Sequence, residues 1–529
     1  MKGTARAANV LELAALAVIL LAAVALSVTS LLTTNYIDPL HYTSQHIVAK
    51  TDSLWFNLVV TIGAIALLRV LRMVRIPGKF LKISAAALLS ILAVVGIAWI
   101  LLTKSIPTSD QGHLYNSAKA LISGQTQDMT STDGTLYFYY LRSPYQFGIL
   151  AYVELLTRVF GENAVLIAAP VINVLFLIGA YISLLRTTDR LFHDNCVTLL
   201  TLFMMCVLIQ PVLACTVIYG WIPSMAMMVW VMGFTVRYLQ EDKKRYLIWM
   251  ALLSAIAVTI KPNALITVIA VALVLLLHAL KSKCWFPLIA ALVVLCAAFP
   301  GQRIAQASYE ARLDTDYGDG QDYVVWISMS MRDSWMACGW YNAYMFDLRD
   351  EYGLDIEAYN DQAREDIAER LQYFIDNPEE AWQFYQDKFS SQWNESTFES
   401  VWVSAICDSY GVRSKLATSM YDGGWTGEMF DKAMNYAVQL MYAGFLLYVL
   451  VLFKKRKTEQ LLLPIAIMGG ILFHLICEAS SKYVLSYLPL FFPLAAYGIL
   501  TFGLNISWFT RPATARENEK ERRKHRIVK

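Results

Sequence analysis

Ionisable side chains grouped at one depth of an apolar chain are the best candidates for chemistry, because lipid makes each of them costly to keep without a task or a partner. Asp110 is the first such residue. It stands in Pro107-Thr108-Ser109-Asp110-Gln111-Gly112-His113-Leu114-Tyr115, a few residues past the apolar run 83–102. Its carboxylate is therefore held near the bilayer surface, where the head group of a lipid-linked substrate would sit. An isolated carboxylate there can take a proton from a hydroxyl as a general base. Gln111, His113 and Tyr115 from the same stretch are candidate substrate contacts. Arg142, Lys261, Arg303 and Lys482 are expected at the same level, with Glu478 and Tyr483 beside the last of them. Four cations at one depth suit a shared phosphate, which Lys and Arg bind through charge-assisted hydrogen bonds. Each basic residue also reads as an interfacial anchor, since Lys and Arg snorkel. Asp110 also reads as the cap of a short helix starting near Gln111, a role Asn fills equally well.

These residues must be positioned by membrane-spanning helices. The 529 residues are 57% hydrophobic and 16% charged, too apolar for a soluble chain of this length. Apolar runs occur near 9–32, 53–71, 83–102, 163–185, 196–217, 221–237, 246–260, 264–280, 285–301, 433–453, 460–477 and 484–504, about twelve helices. The first is too long for a signal-peptide core and reads as a retained helix. With the N-terminus inside, Arg72/Arg75/Lys79/Lys82, Arg186/Arg190, Arg237/Lys243/Lys244/Arg245, Lys281/Lys283, Lys454/Lys455/Arg456/Lys457 and the basic tail 511–529 all fall in cytoplasmic loops, as the positive-inside rule requires. Counting Tyr145 to Phe160 as a crossing would invert every later loop, so that segment is expected to be interfacial or re-entrant.

The expected fold is an all-α polytopic membrane protein in the cell membrane, with both termini cytoplasmic. Its parts are a transmembrane region 1–301 with an outer loop 103–162 carrying interfacial helices, an extracytoplasmic, mainly helical module 302–432, transmembrane helices 433–510 and the tail 511–529. Within the module, Ala363, Ile367, Leu371 and Phe374 recur at helical spacing, and Asn377-Pro378 reads as the cap and first turn of a following helix with Trp382, Tyr385 and Phe389 on one face. Those aromatics suit helix packing better than a sugar-stacking platform. A net charge of +2 gives no field that would attract nucleic acid. Most of the eight cysteines lie in or beside apolar runs, and none forms a C-x-x-C pair or metal-spaced cluster. Only Cys338 and Cys407 fall in the long polar segment, where an oxidising exterior would permit a disulfide. Asn394-Glu395-Ser396 and Asn505-Ile506-Ser507 match the glycosylation sequon, a match common by chance.

The stretch from Pro107 to Ala118 resembles the first-loop pattern of the GT-C superfamily of membrane glycosyltransferases, in its bacterial branch related to protein O-mannosyltransferases and lipid A aminoarabinose transferases. Ser143-Pro144-Tyr145-Gln146-Phe147-Gly148 through Gly161 resembles the proline-led segment that closes that loop. Ile260-Lys261-Pro262-Asn263, Phe473-His474 through Glu478, Lys482-Tyr483 and Pro489 look like later landmarks, in the expected order. Two positions depart from the pattern: Gln111 replaces a common second acid, and Lys482 stands where Arg is frequent. The resemblance implies a polyprenyl-phosphate-linked sugar as donor and a cell-envelope glycan, lipid or protein as acceptor. Asp110 would be the catalytic base of an inverting transfer at the outer face. A monophosphate leaving group can be stabilised by Lys or Arg, and without a second acid beside Asp110 a divalent ion would have to complete its shell with phosphate oxygens. No metal or other cofactor is expected. A lipid-linked oligosaccharide flippase or other transporter, and a polysaccharide polymerase or ligase using a diphosphate donor, remain the alternatives.

Overall fold

Long runs of Leu, Ala, Val and Ile satisfy every backbone group internally as helix, the only open-ended structure that lipid tolerates. The computed structural model describes residues 2–38 and 44–503. Among these, ten helices are long and apolar enough to cross a membrane, and a bent pair would make eleven. That pair, Asn195–Val207 and Gln210–Thr216, turns by 48° at its break, just before Pro211, whose ring cannot continue a helix without loss of a hydrogen bond. The helix Arg245–Ile260 has 16 residues, about 24 Å of rise, short of a hydrocarbon core of about 30 Å. The count of twelve crossings thus goes beyond the helices that meet the length requirement.

The bundle is closed by close helix contacts. Trp425–Lys454 packs against Leu488–Thr501 through Gly444 and Gly498. A Cβ on Gly498 would lie 2.1 Å from the Gly444 carbonyl oxygen, and one on Gly444 would lie 2.9 Å from Ala495, so small residues set the approach. At the opposite end from the long polar segments, the buried Glu12 carboxylate meets Lys281 at 2.6 Å and Arg456 at 3.1 Å and accepts the Thr458 hydroxyl at 2.9 Å. It ties the first helix to two basic loops.

The polar segments follow. Ser109–Ser123, Thr135–Arg142 and Phe147–Phe160 are short helices. The last has 14 residues, about 21 Å, and buries its Glu154, which is held by Tyr309, Arg312 and Arg158. The expected boundaries at 301/302 and 432/433 fall inside the helices Pro300–Leu313 and Trp425–Lys454.

Between them, Ile356–Asp376 buries Ala363 and Phe374 but leaves Leu371 exposed. Pro378–Trp393 follows directly. Asn377 occupies its N-cap position with Pro378 in the first turn, as expected, but its side chain makes no cap hydrogen bond and donates back to the Tyr373 carbonyl at 2.9 Å; Trp382 is exposed rather than packed. This region has two small cores of its own, around Tyr344 and Tyr359 and around Phe374 and Phe384. Trp340, Trp393, Phe398 and Trp402 belong instead to the main core, so the region is fused to the bundle.

Two small antiparallel pairs accompany the helices, a feature the all-helical expectation omitted. Thr33–Ile37 pairs with Ile47–Thr51, and Ser105–Ile106 with Asp408–Ser409. All eight cysteines are free thiols. Cys338 lies beside Asp333, whereas Cys407 is buried against Gln111, so the disulfide that their outer location would permit is not formed. Asn394 is buried, donating to the Thr33 carbonyl at 2.8 Å, which closes that sequon to modification. The sequon at 505 and the basic tail 511–529 lie outside the described residues.

Candidate functional site

Asp110 enters the site from the first turn of Ser109–Ser123, where the exposed N–H groups favour a carboxylate. The helix begins two residues earlier than expected, with Thr108 in the N-cap position, so Asp110 is not the cap. Its Oδ2 accepts the Tyr219 hydroxyl at 3.0 Å, and the Tyr219 oxygen in turn accepts from Gln146 Nε2 at 2.7 Å. The Tyr219 ring also carries Lys261, whose Nζ lies 3.7 Å from its centroid. Gly220 permits this placement: its φ is +75°, and a Cβ there would meet Ile260 and Ile149 at 2.6 and 2.7 Å.

Glu478 arrives from the loop between Leu462–Ile476 and Ser481–Val484. Tyr483 donates to it at 3.3 Å. Beneath that loop lies Glu399, fully buried. Its Oε1 accepts Ser480 Oγ at 2.6 Å, Ser481 Oγ at 2.9 Å and the Lys482 backbone N–H at 3.1 Å; its Oε2 meets Lys482 Nζ at 3.1 Å and Gln45 Nε2. Neighbouring Glu395 accepts Ser481 Oγ at 2.9 Å and the Glu399 N–H at 2.8 Å. Two buried carboxylates thus fix the 480–482 backbone and commit Lys482 to an ion pair.

Two adjoining cavities share Asp110, Arg142, Tyr219, Tyr341, Glu478 and Tyr483. The larger, about 340 Å³, adds Gln111, His113, Lys482 and Trp402. The smaller, about 170 Å³, adds Lys261, Asn263 and Tyr145. Lys261, Asn263 and Tyr483 also line a narrow slot of about 40 Å³ that runs down between Trp221–Glu241, Ala264–Ser282 and Leu488–Thr501, past Met225, Met228, Met232 and Leu490.

Burial moves the titrations toward neutrality. It pushes Glu478 up to about 7, against the pull of Lys482, and brings Lys261 down to about 8 despite Asp110 and Glu478. Burial also lowers His113, whose ring lies 4.8 Å from that of Tyr139.

Eight of the expected site residues therefore line one connected space: Asp110, Gln111, His113, Arg142, Lys261, Glu478, Lys482 and Tyr483. Gln111 is largely occupied with structure, its Oε1 accepting the Ile218 N–H at 3.1 Å and its Nε2 donating to Cys407 Sγ at 3.4 Å. Two expected residues lie elsewhere. Tyr115 donates to the Glu162 carbonyl at 3.0 Å, and Arg303 is exposed and paired with Asp319 at 2.7 Å; neither lines the cavities.

Tyr219, Glu395 and Glu399 were not singled out as site residues. Tyr219 was hidden at the break between two apolar runs, and the glutamates in a stretch read only as a sequon. No three His, Cys, Asp or Glu side chains come together as metal ligands among the described residues. Comparison with known protein families, curated proteins and solved structures gave no match.

Proposed function

We propose that this protein is an inverting membrane glycosyltransferase of GT-C type, with twelve crossings, cytoplasmic termini and an extracytoplasmic site. It moves a sugar from a polyprenyl-phosphate donor to a cell-envelope acceptor. The observation that carries this reading is a carboxylate oriented by a tyrosine, Asp110 with Tyr219 at 3.0 Å, in a cavity whose free lysine, Lys261, stands at the mouth of an apolar slot. The slot's apolar lining suits the first carbons of an isoprenoid tail, and Lys261 its phosphate. Among the described residues no carboxylate lies within ion-pair distance of Lys261, whereas Lys482 is already matched by Glu399.

Asp110 accepts the proton of the acceptor hydroxyl as that oxygen bonds to the anomeric carbon. The bond from that carbon to the phosphate oxygen breaks, its electron pair leaves on the phosphate, and Lys261 stabilises the developing charge. A single base and a single displacement invert the anomeric centre. Against the rival reading as a flippase stands the position of Asp110, Lys261 and Glu478, each just past a helix end rather than midway along a helix, where transport sites lie. Purified protein in liposomes with a decaprenyl-phosphate-linked hexose and envelope glycan tests the proposal. The expected product has the anomeric configuration opposite to the donor; retention, or movement of donor across the bilayer without transfer, would refute it.

A further inference from the structure

Arg142 ends the helix Thr135–Arg142 and, like Lys261, is a cation of the site without an acidic partner. Only 9% of it is exposed. Several other arginines near this end are paired, Arg158 and Arg312 with Glu154, Arg303 with Asp319 and Arg332 with Asp366, while Arg349 lies over the outer Phe138 ring at 4.2 Å and lines neither cavity. Among the described residues no carboxylate reaches Arg142. Its guanidinium is held by aromatic faces, at 5.5 Å from Phe138, 5.9 Å from Tyr139 and 5.5 Å from Phe346. One nitrogen contacts the Met345 sulfur at 3.5 Å, and the buried Nε has no hydrogen-bond partner. A guanidinium desolvated and left with an unused donor is costly unless an anion completes it, and its planar fork matches a carboxylate or phosphate.

Arg142 and Lys261 both line the smaller cavity, but their further surroundings differ. The larger cavity is lined by Arg142 and not by Lys261. Lys261 alone of the two borders the slot that would hold the lipid. Arg142 lines both cavities, where the sugars must meet.

We infer that Arg142 forms a second anion site, which binds a carboxylate or phosphate carried on a saccharide substrate, apart from the donor phosphate. The substrate class is then an acidic sugar, such as a uronic acid or a sugar phosphate. The inference rests on the donor reading above for the role of Lys261, but not for the binding of the anion itself.

The test measures binding to the purified full-length protein in detergent, using decaprenyl phosphate, decaprenyl diphosphate, glucuronate, glucose 6-phosphate and glucose as probes. Wild type is expected to bind glucuronate or glucose 6-phosphate at least tenfold more tightly than glucose. Arg142→Gln should abolish that preference while changing decaprenyl phosphate affinity less than threefold; Lys261→Gln should do the reverse. Arg142→Lys keeps the charge but not the fork, so if Arg142→Gln melts early, the lysine variant should still weaken the anionic sugars about tenfold. Binding together with decaprenyl phosphate-linked glucose would assign the anion to the acceptor, and competition with it would assign the anion to the transferred sugar. The inference is overturned if the anionic sugars bind no better than glucose, if their binding survives both Arg142 variants, or if decaprenyl diphosphate binds tightly and needs Arg142 and Lys261 equally. Failure of decaprenyl phosphate to bind, with Arg142-dependent glucuronate binding intact, would instead refute the donor reading alone.

Discussion

Tyr219→Phe removes one oxygen and leaves the ring. The Asp110 carboxylate then loses the hydrogen bond made at 3.0 Å, Gln146 Nε2 loses its acceptor, and Lys261 keeps the aromatic face it rests on. A hydrogen bond to a charged group contributes about 1.5–3 kcal/mol. If that energy serves to hold the base in its reactive orientation, the rate falls about tenfold to 150-fold. The loss should appear in kcat for transfer from a decaprenyl-phosphate sugar, with KM for the donor changed less than threefold because Lys261 is undisturbed. Tyr219→Ala removes the ring as well and should raise donor KM in addition. Melting temperature and donor binding, measured on the same preparations, separate orientation from folding. A Tyr219→Phe enzyme within twofold of wild-type kcat, or one altered in KM alone, would refute the view that Tyr219 positions Asp110.

Three further outcomes are expected. Glu399→Gln removes the buried charge that faces Lys482 and disturbs the anchor of residues 480–482; breaking a buried pair costs about 3–5 kcal/mol, so thermal melting in detergent should drop by several degrees, and an unchanged melt would contradict the hub role. Glu12→Gln leaves Lys281 and Arg456 facing each other without a carboxylate, and should destabilise the protein while leaving the kcat of the folded fraction within twofold. Lys261, lowered to about 8 by burial, should lose its proton as pH rises through about 8, so decaprenyl phosphate affinity should fall across that range and Lys261→Arg should abolish the fall. The linked effect on stability has a definite sign: between about 8 and the unperturbed 10.5 the unfolded chain holds more protons at this site, so the cost of burying the charge is relieved and stability rises with pH there.

The helical bundle was legible because lipid enforces a strong signal: apolar runs of fixed length with basic residues between them. Every apolar run corresponds to a helix or a broken helix, although the break before Pro211 was not read from the run 196–217. What failed to show were features set by tertiary contact. Asn377-Pro378 has the sequence of a cap, yet the Asn amide turns back to Tyr373. Arg303 has the depth of a ligand, yet a neighbouring turn supplies Asp319. Tyr115 shares a helix with Asp110 but points to the Glu162 carbonyl instead, since residues five apart on a helix face different directions. Glu395 and Glu399 read as polar residues of an outer segment and are instead buried under the 480–482 backbone. No periodicity distinguishes a buried carboxylate from an exposed one; only its partners do.

Asp110→Asn tests the central claim most directly, measured as single-turnover transfer from a decaprenyl-phosphate sugar to the glycan acceptor. The substitution keeps the size of the side chain and its capacity to accept the Tyr219 hydrogen bond, and removes the basic carboxylate. The account predicts a loss of about a hundredfold to ten-thousandfold in rate, with donor affinity and melting temperature near those of the wild type; transfer at a near-normal rate by the Asn variant would contradict it.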